Sequence, residues 1–163
     1  LIPKYPYLAH QERTYMPQSF AKVDILRGGD TQGNRMIVRL TTPNGSLIHA
    51  IGVPQDWSSR TGPTWAYLFE SDGLTLLAPG AHGSFHELAD GITTSGFAIT
   101  DLERVIVSHG HSDHDGSVAQ TIGESQAKLW AHKIYALLLP FNPWEVQNRS
   151  SSDGTKSIES CTE

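Results

Sequence analysis

Between Val105 and Gly116 the sequence reads V-I-V-S-H-G-H-S-D-H-D-G, which puts His109, His111, Asp113 and His114 within six residues of one another. Imidazole nitrogens with a carboxylate form a mixed N/O donor set suited to zinc and similar divalent ions. Residues two apart on an extended segment point to the same side, so His109 and His111 can share one ion. Asp113 and His114 follow where the chain has left the strand, and a bend there would aim them at a second ion close to the first. The competing reading is a solvated loop that happens to be rich in histidine. So dense a cluster directly after an apolar β-branched run favours the metal reading.

The elements around the cluster set its position. Val105-Ile106-Val107 has the composition of a buried strand. Upstream, Ala21 to Leu26 reads as a short strand, and two hairpins follow. The first joins Met36–Leu40 to Leu47–Ile51 through Asn44-Gly45, a pair that tolerates positive φ. The second joins Trp65–Phe69 to Leu74–Leu77 through Asp72-Gly73. Phe85, Leu88 and Ile92 lie at helical spacing, with Ser84 and Glu87 forming a candidate capping box. Ser117–Ile122 reads as a short helix, Ala127–Ala131 as a strand and Lys133–Leu139 as a helical turn or two stopped by Pro140. Strands first, then alternating helix and strand, predict an α/β sheet covered by helices.

With its flanks, the motif His109-Gly110-His111-Ser112-Asp113-His114 resembles the H-x-H-x-D-H signature of the metallo-β-lactamase superfamily. Thr64–Phe69 with Ser71-Asp72-Gly73 resembles the strand and turn before that signature, and Leu74–Leu77 with Pro79-Gly80 the next strand and its turn. Ala127–His132 resembles the strand after the following helix, so the likeness runs over roughly residues 60–140. It implies an αββα sandwich, of which this chain holds mainly the N-terminal half. It also implies that His109 and His111 serve a first ion and Asp113 and His114 a second. In the family, a second half of the fold adds a third histidine, a bridging aspartate and another histidine, and no histidine follows His132 here. Histidine at 111, where di-iron relatives tend to carry a carboxylate, and at 114, where zinc β-lactamases commonly carry another type, brings the chain nearer to the thioesterase, lactonase and glyoxalase II side. The expected cofactor is zinc, one or two ions, with iron and manganese as alternatives. Asp113 is the candidate catalytic group, orienting the nucleophile or shuttling a proton. One departure is Ala78, where the family often has an aspartate supporting the ligands.

The function expected from this resemblance is metal-dependent hydrolysis of an ester, thioester or lactone, incomplete in this chain. The rival is a non-catalytic binding or assembly module of the same fold. Expected partners are a small-molecule substrate and either a second chain or the C-terminal half that completes the ligand set. A net charge of −5 without a run of Lys or Arg argues against nucleic acid, and against a nuclease of the same superfamily. The longest apolar stretch is too short to span a membrane. Cys161 is alone, which fits a reducing, cytoplasmic setting, with the reservation that the chain starts at Leu1 and its start can be trimmed. The expected organisation is an irregular lead-in over residues 1–20, the domain over 21–147, and a polar tail or the start of a further segment over 148–163. Gly110 and Gly116 read either as hinges around the ions or as plain turn residues. His82, His86 and His132 read first as residues without a catalytic role, with a rim or substrate contact as the alternative for His82 and His86 and a ligand role as the alternative for His132. His49 reads as structural, and Trp65, Trp130 and Trp144 as packing aromatics.

Overall fold

The computed structural model describes residues 20–55, 62–138 and 159–160. The lead-in, Pro140, Trp144, Cys161 and most of the 148–163 segment therefore lie outside the described residues.

One sheet organises the chain. Its strands are β1 (Lys22–Arg27), β2 (Ile37–Thr41), β3 (Leu47–Val53), β4 (Thr64–Glu70), β5 (Leu74–Leu77), β6 (Leu102–Val107), β7 (Lys128–Ala131) and β8 (Glu159–Ser160). They lie side by side in chain order. The first five are an antiparallel meander, whereas β5–β6, β6–β7 and β7–β8 pair in parallel. The change of direction follows the connections: short turns join β2 to β3 and β4 to β5, and helices at Phe85–Thr94 and Val118–Ser125 carry the chain between the parallel pairs β5–β6 and β6–β7. The Asn44-Gly45 hairpin forms as expected, with the Gly45 amide donating to the Thr42 carbonyl at 2.9 Å and Gly45 at φ 87°.

Helices α1 (Phe85–Thr94), α2 (Ser112–Asp115), α3 (Val118–Ser125) and α4 (Lys133–Leu138), with a short 3-10 turn at Ile99–Asp101 before β6, complete the described elements. Leu88 and Ile92 of α1 are fully buried in a core with Ile51, Leu68, Leu76 and Val105, and Ile122 of α3 packs on the same core. Gly91 explains how α1 comes so close to the sheet. A Cβ at that position would stand 2.4 Å from Cγ2 of Ile51, so the site excludes any side chain. Two details differ from expectation. Phe85 is only partly buried, and the capping box does not form. Ser84 is buried and donates instead to the Pro54 carbonyl at 2.6 Å, while Glu87 pairs with Arg35 at 3.2 Å.

The helices cover one face. On the other, the strand register aligns Ile25, Val38, Ala50, Tyr67, Leu77, Ile106 and Trp130 in a row across seven strands. Parts of this face stay open, with Val23 58 % and Ile25 62 % exposed. No helix of the described residues is long and apolar enough to cross a membrane.

His49 on β3 is 4 % exposed and stands edge-on to Phe97 with ring centroids 5.8 Å apart. Burial holds its imidazole below the ordinary value, and Arg39, its cross-strand partner, pushes the same way.

Two outcomes follow from this packing. Leu88→Asp loses about 2–3 kcal/mol of apolar burial and adds the larger cost of a carboxylate in the core. Circular dichroism should show an unfolded or aggregated variant, and an unchanged melting curve would contradict the packing of α1. For His49, a folded pKa below the unfolded value of about 6.5 means that the unfolded chain binds more protons in that window. Its contribution is therefore constant above about pH 6.5 and is lost as pH falls from there through the folded value. Urea melts at a series of pH values should show a shallower acid-side loss in His49→Gln than in wild type. Identical slopes would mean that His49 takes up its proton as readily folded as unfolded.

Candidate metal centre

The motif sits at the carboxyl end of β6, between two parallel neighbours, and outside the carboxyl ends of such strands is where open α/β sheets form their sites. Ser108 to His111 leave the strand, and His111, with extended backbone at φ −86° and ψ 137°, caps the helical turn α2. That turn carries Asp113 and His114. The bend expected after the strand is thus a single turn of helix, held by His114 and Asp115 amides donating to the His111 carbonyl at 2.8 and 3.0 Å.

This backbone gathers three imidazoles. The His109 ring centroid lies 4.6 Å from that of His111 and 4.4 Å from that of His114. His109 is thus as near to His114 as to His111, rather than forming a pair set apart from Asp113 and His114. Nδ1 of His109 shares a 2.9 Å hydrogen bond with the Ser108 hydroxyl. Nδ1 of His114 is buried and has no hydrogen-bond partner among the described residues. Burial holds the His114 imidazole below its ordinary range, outweighing the opposing pull of Asp113, while His109 and His111 add to the lowering. Neutral imidazole is the ligating form.

Asp113 is held from outside the motif. Its Oδ2 accepts from Gln55 Nε2 at 3.2 Å and from the Thr64 hydroxyl at 3.4 Å, and His114 Nε2 lies 3.4 Å from the same oxygen. Gln55 and Thr64 escape sequence reasoning because they follow and begin distant strands, and no local spacing links them to the motif. Asp115 was also not foreseen. It is buried behind His114 and accepts from the Tyr135 hydroxyl of α4 at 3.1 Å. Burial pushes its carboxyl up, and the Tyr135 bond partly offsets this.

The two glycines of the motif differ. Gly110 has room for a Cβ, whose nearest contact would be 3.5 Å away, so it is not required for space. Gly116 is: a Cβ there would fall 2.2 Å from the His82 amide nitrogen and 2.4 Å from the Ser112 carbonyl oxygen. Gly116 works by close approach, pressing α2 against the 79–84 turn, with the Ser117 amide donating to the Gly80 carbonyl at 3.1 Å. The same contact brings the His82 backbone beside the motif. Ala78, the departure noted in the sequence, is buried and left-handed at φ 56°. His132 is exposed, and its Nδ1 accepts from the Ile134 amide at 3.2 Å, closing the first turn of α4.

The donor types fit a divalent ion: neighbouring imidazoles, one with a buried unpartnered nitrogen, and a carboxylate already oriented. Among the described residues, however, no group of three or more His, Cys, Asp or Glu side chains converges so as to hold one.

A family model of the metallo-beta-lactamase superfamily matches residues 59–158. Similar solved structures include a metallo-beta-lactamase of Cronobacter sakazakii described by a HARLDQ motif, 22 % identical, with a TM-score of 0.48 over 56 % of this chain and 34 % of that one. A subclass B3 metallo-beta-lactamase from a soil metagenome library, MEM-A1, is 20 % identical, with a TM-score of 0.49 over 75 % of this chain and 37 % of that one. GOB-18 from Elizabethkingia meningoseptica is 19 % identical, with a TM-score of 0.46 over 85 % of this chain and 41 % of that one. The chain thus spans between about a third and two fifths of the length of these structures. The family model covers more than half of the chain, and on that match the chain belongs to the metallo-beta-lactamase superfamily.

Proposed function

We propose that this chain supplies the first half of a metal-dependent hydrolase site that acts on an ester, thioester or lactone. The observation that carries the reading is the cluster of His109, His111 and His114 around one strand end, with Asp113 held beside it, in a member of this superfamily. His109, His111, Asp113 and His114 would hold the metal. A bound divalent ion, zinc being the type best suited to these donors, supplies Lewis-acid polarisation of an acyl carbonyl and a water of lowered pKa, about 7 in zinc enzymes.

The chain's own groups do the orienting. Gln55 and Thr64 both donate to Oδ2 of Asp113, which fixes the carboxylate plane and leaves Oδ1 as the atom to receive a proton or contact an ion. Ser108 on Nδ1 of His109 commits that nitrogen and leaves Nε2 for ligation. The apolar row across the sheet, open at Ile25 and Tyr67, supports a second sheet as the partner. That sheet, from a further segment or from a second chain, would bring the remaining ligands. The rival reading, a non-catalytic module of the same fold, is favoured by one observation: three ligating side chains do not converge among the described residues. Zinc uptake in equilibrium dialysis that depends on the motif histidines favours the first reading, and no such uptake favours the second.

Firm zinc sites use at least three protein ligands. The isolated chain is therefore expected to bind zinc weakly and to hydrolyse a generic thioester and lactone no faster than free zinc does. His109→Ala combined with His111→Ala should abolish what binding there is, measured by metal analysis after equilibrium dialysis. Equal zinc in wild type and double variant would remove the motif as the binding site. Turnover well above the free-zinc background, lost in His111→Ala, would show a complete site within this chain.

A further inference from the structure

Beside the imidazoles lies a buried pair that the function above does not use. Asp115 ends α2 directly after His114 and is 2 % exposed; Tyr135 on α4 is 7 % exposed. The tyrosine hydroxyl donates to Oδ2 of the aspartate at 3.1 Å. Val107, Val118 and Ala131 pack around the tyrosine in a small core of their own, so its ring has little freedom to turn away.

The pair lies beside both arms of the motif. On one side, a Cβ built on Gly110 would stand 3.5 Å from Cε2 of Tyr135 and 3.6 Å from Oδ2 of Asp115, so the backbone between His109 and His111 faces the pair across a gap that one methyl group would fill. On the other side, Asp115 belongs to the turn that carries Asp113 and His114, and its own amide donates to the His111 carbonyl at 3.0 Å. A carboxylate and a phenol removed from water favour the geometry that keeps their hydrogen bond, because no solvent stands ready to replace it and the low local dielectric strengthens it. We propose that the Asp115–Tyr135 hydrogen bond is a positioning device: it ties α2 to α4 beneath Gly110 and so keeps the His109, His111 and His114 rings in one cluster. Both residues are positioning residues that act through the histidines. The claim about ring placement stands without a metal; the consequence for zinc rests on the function proposed above.

The test uses the full chain with isotope-labelled histidine and two variants. In Tyr135→Phe, the metal-free ring signals of His109, His111 and His114 should shift or broaden, while those of His49 and His86 stay in place and report an intact fold. Zinc affinity, measured by competition with a chromophoric chelator, should fall roughly tenfold or more, the usual cost of losing an outer hydrogen-bonding partner. Asp115→Asn keeps an acceptor for the tyrosine hydroxyl and should move the ring signals less than Tyr135→Phe does. Unchanged ring signals in Tyr135→Phe would overturn the proposal, as would an Asp115→Asn variant that moves them as far as Tyr135→Phe does. Should Tyr135→Phe fail to fold, the wild-type protein decides: a Tyr135 hydroxyl proton protected from exchange supports the bond, and one exchanging at the solvent rate overturns it. If wild type binds no zinc at all, the metal reading fails and the ring signals alone judge the pair.

Discussion

The carboxyl end of β6 is the point on which the candidate site depends. This strand pairs in parallel with β5 on one side and β7 on the other, and Val105 and Val107 are buried on the helix-covered face. A slip of one residue would turn both valines out of the core and break two ladders, so the register is firmly set. The chain therefore leaves the sheet at a fixed place and in a fixed direction. Everything the motif does follows from the short path after that exit: extended backbone through His111, then one turn of helix stopped against the 79–84 turn at Gly116. A compact exit brings three imidazoles together without any long-range contact between them.

The sheet has two unlike faces, and that asymmetry shapes the functional reading. One face is closed by α1 and α3 through Leu88, Ile92 and Ile122. The other carries an apolar row from Ile25 to Trp130, partly open on β1 and at Tyr67. Apolar side chains on one register line across seven strands are costly to leave in water and are suited to a second layer. Among the described residues, part of the sheet's second face is uncovered and no three ligating side chains converge at the motif, and the function proposed above accounts for both with one further layer.

Much of this was legible from residue order alone. The hairpins at Asn44-Gly45 and Asp72-Gly73, the helix centred on Leu88 and the strand before His109 all carry local signals: turn chemistry, helical spacing and an apolar β-branched run. The density of histidine marked the candidate site. What was hidden depends on contacts between distant segments. Ser84 looks like a capping residue until Pro54 offers it a carbonyl. Gly116 looks like a hinge until the His82 backbone is found against it. Gln55 and Thr64 have no local reason to meet Asp113. Asp115 reads as one more polar residue of the motif, and only the placement of α4 reveals that it is buried beneath Tyr135.

The central claim is that the imidazoles after β6 are metal ligands rather than a solvated histidine loop. X-ray absorption at the zinc edge tests it most directly, on protein loaded with zinc well below one equivalent so that the metal occupies its strongest site. Ligation by these histidines predicts the multiple-scattering pattern of two or three imidazole rings, with oxygen completing the shell. A shell of oxygen atoms without imidazole scattering would contradict it.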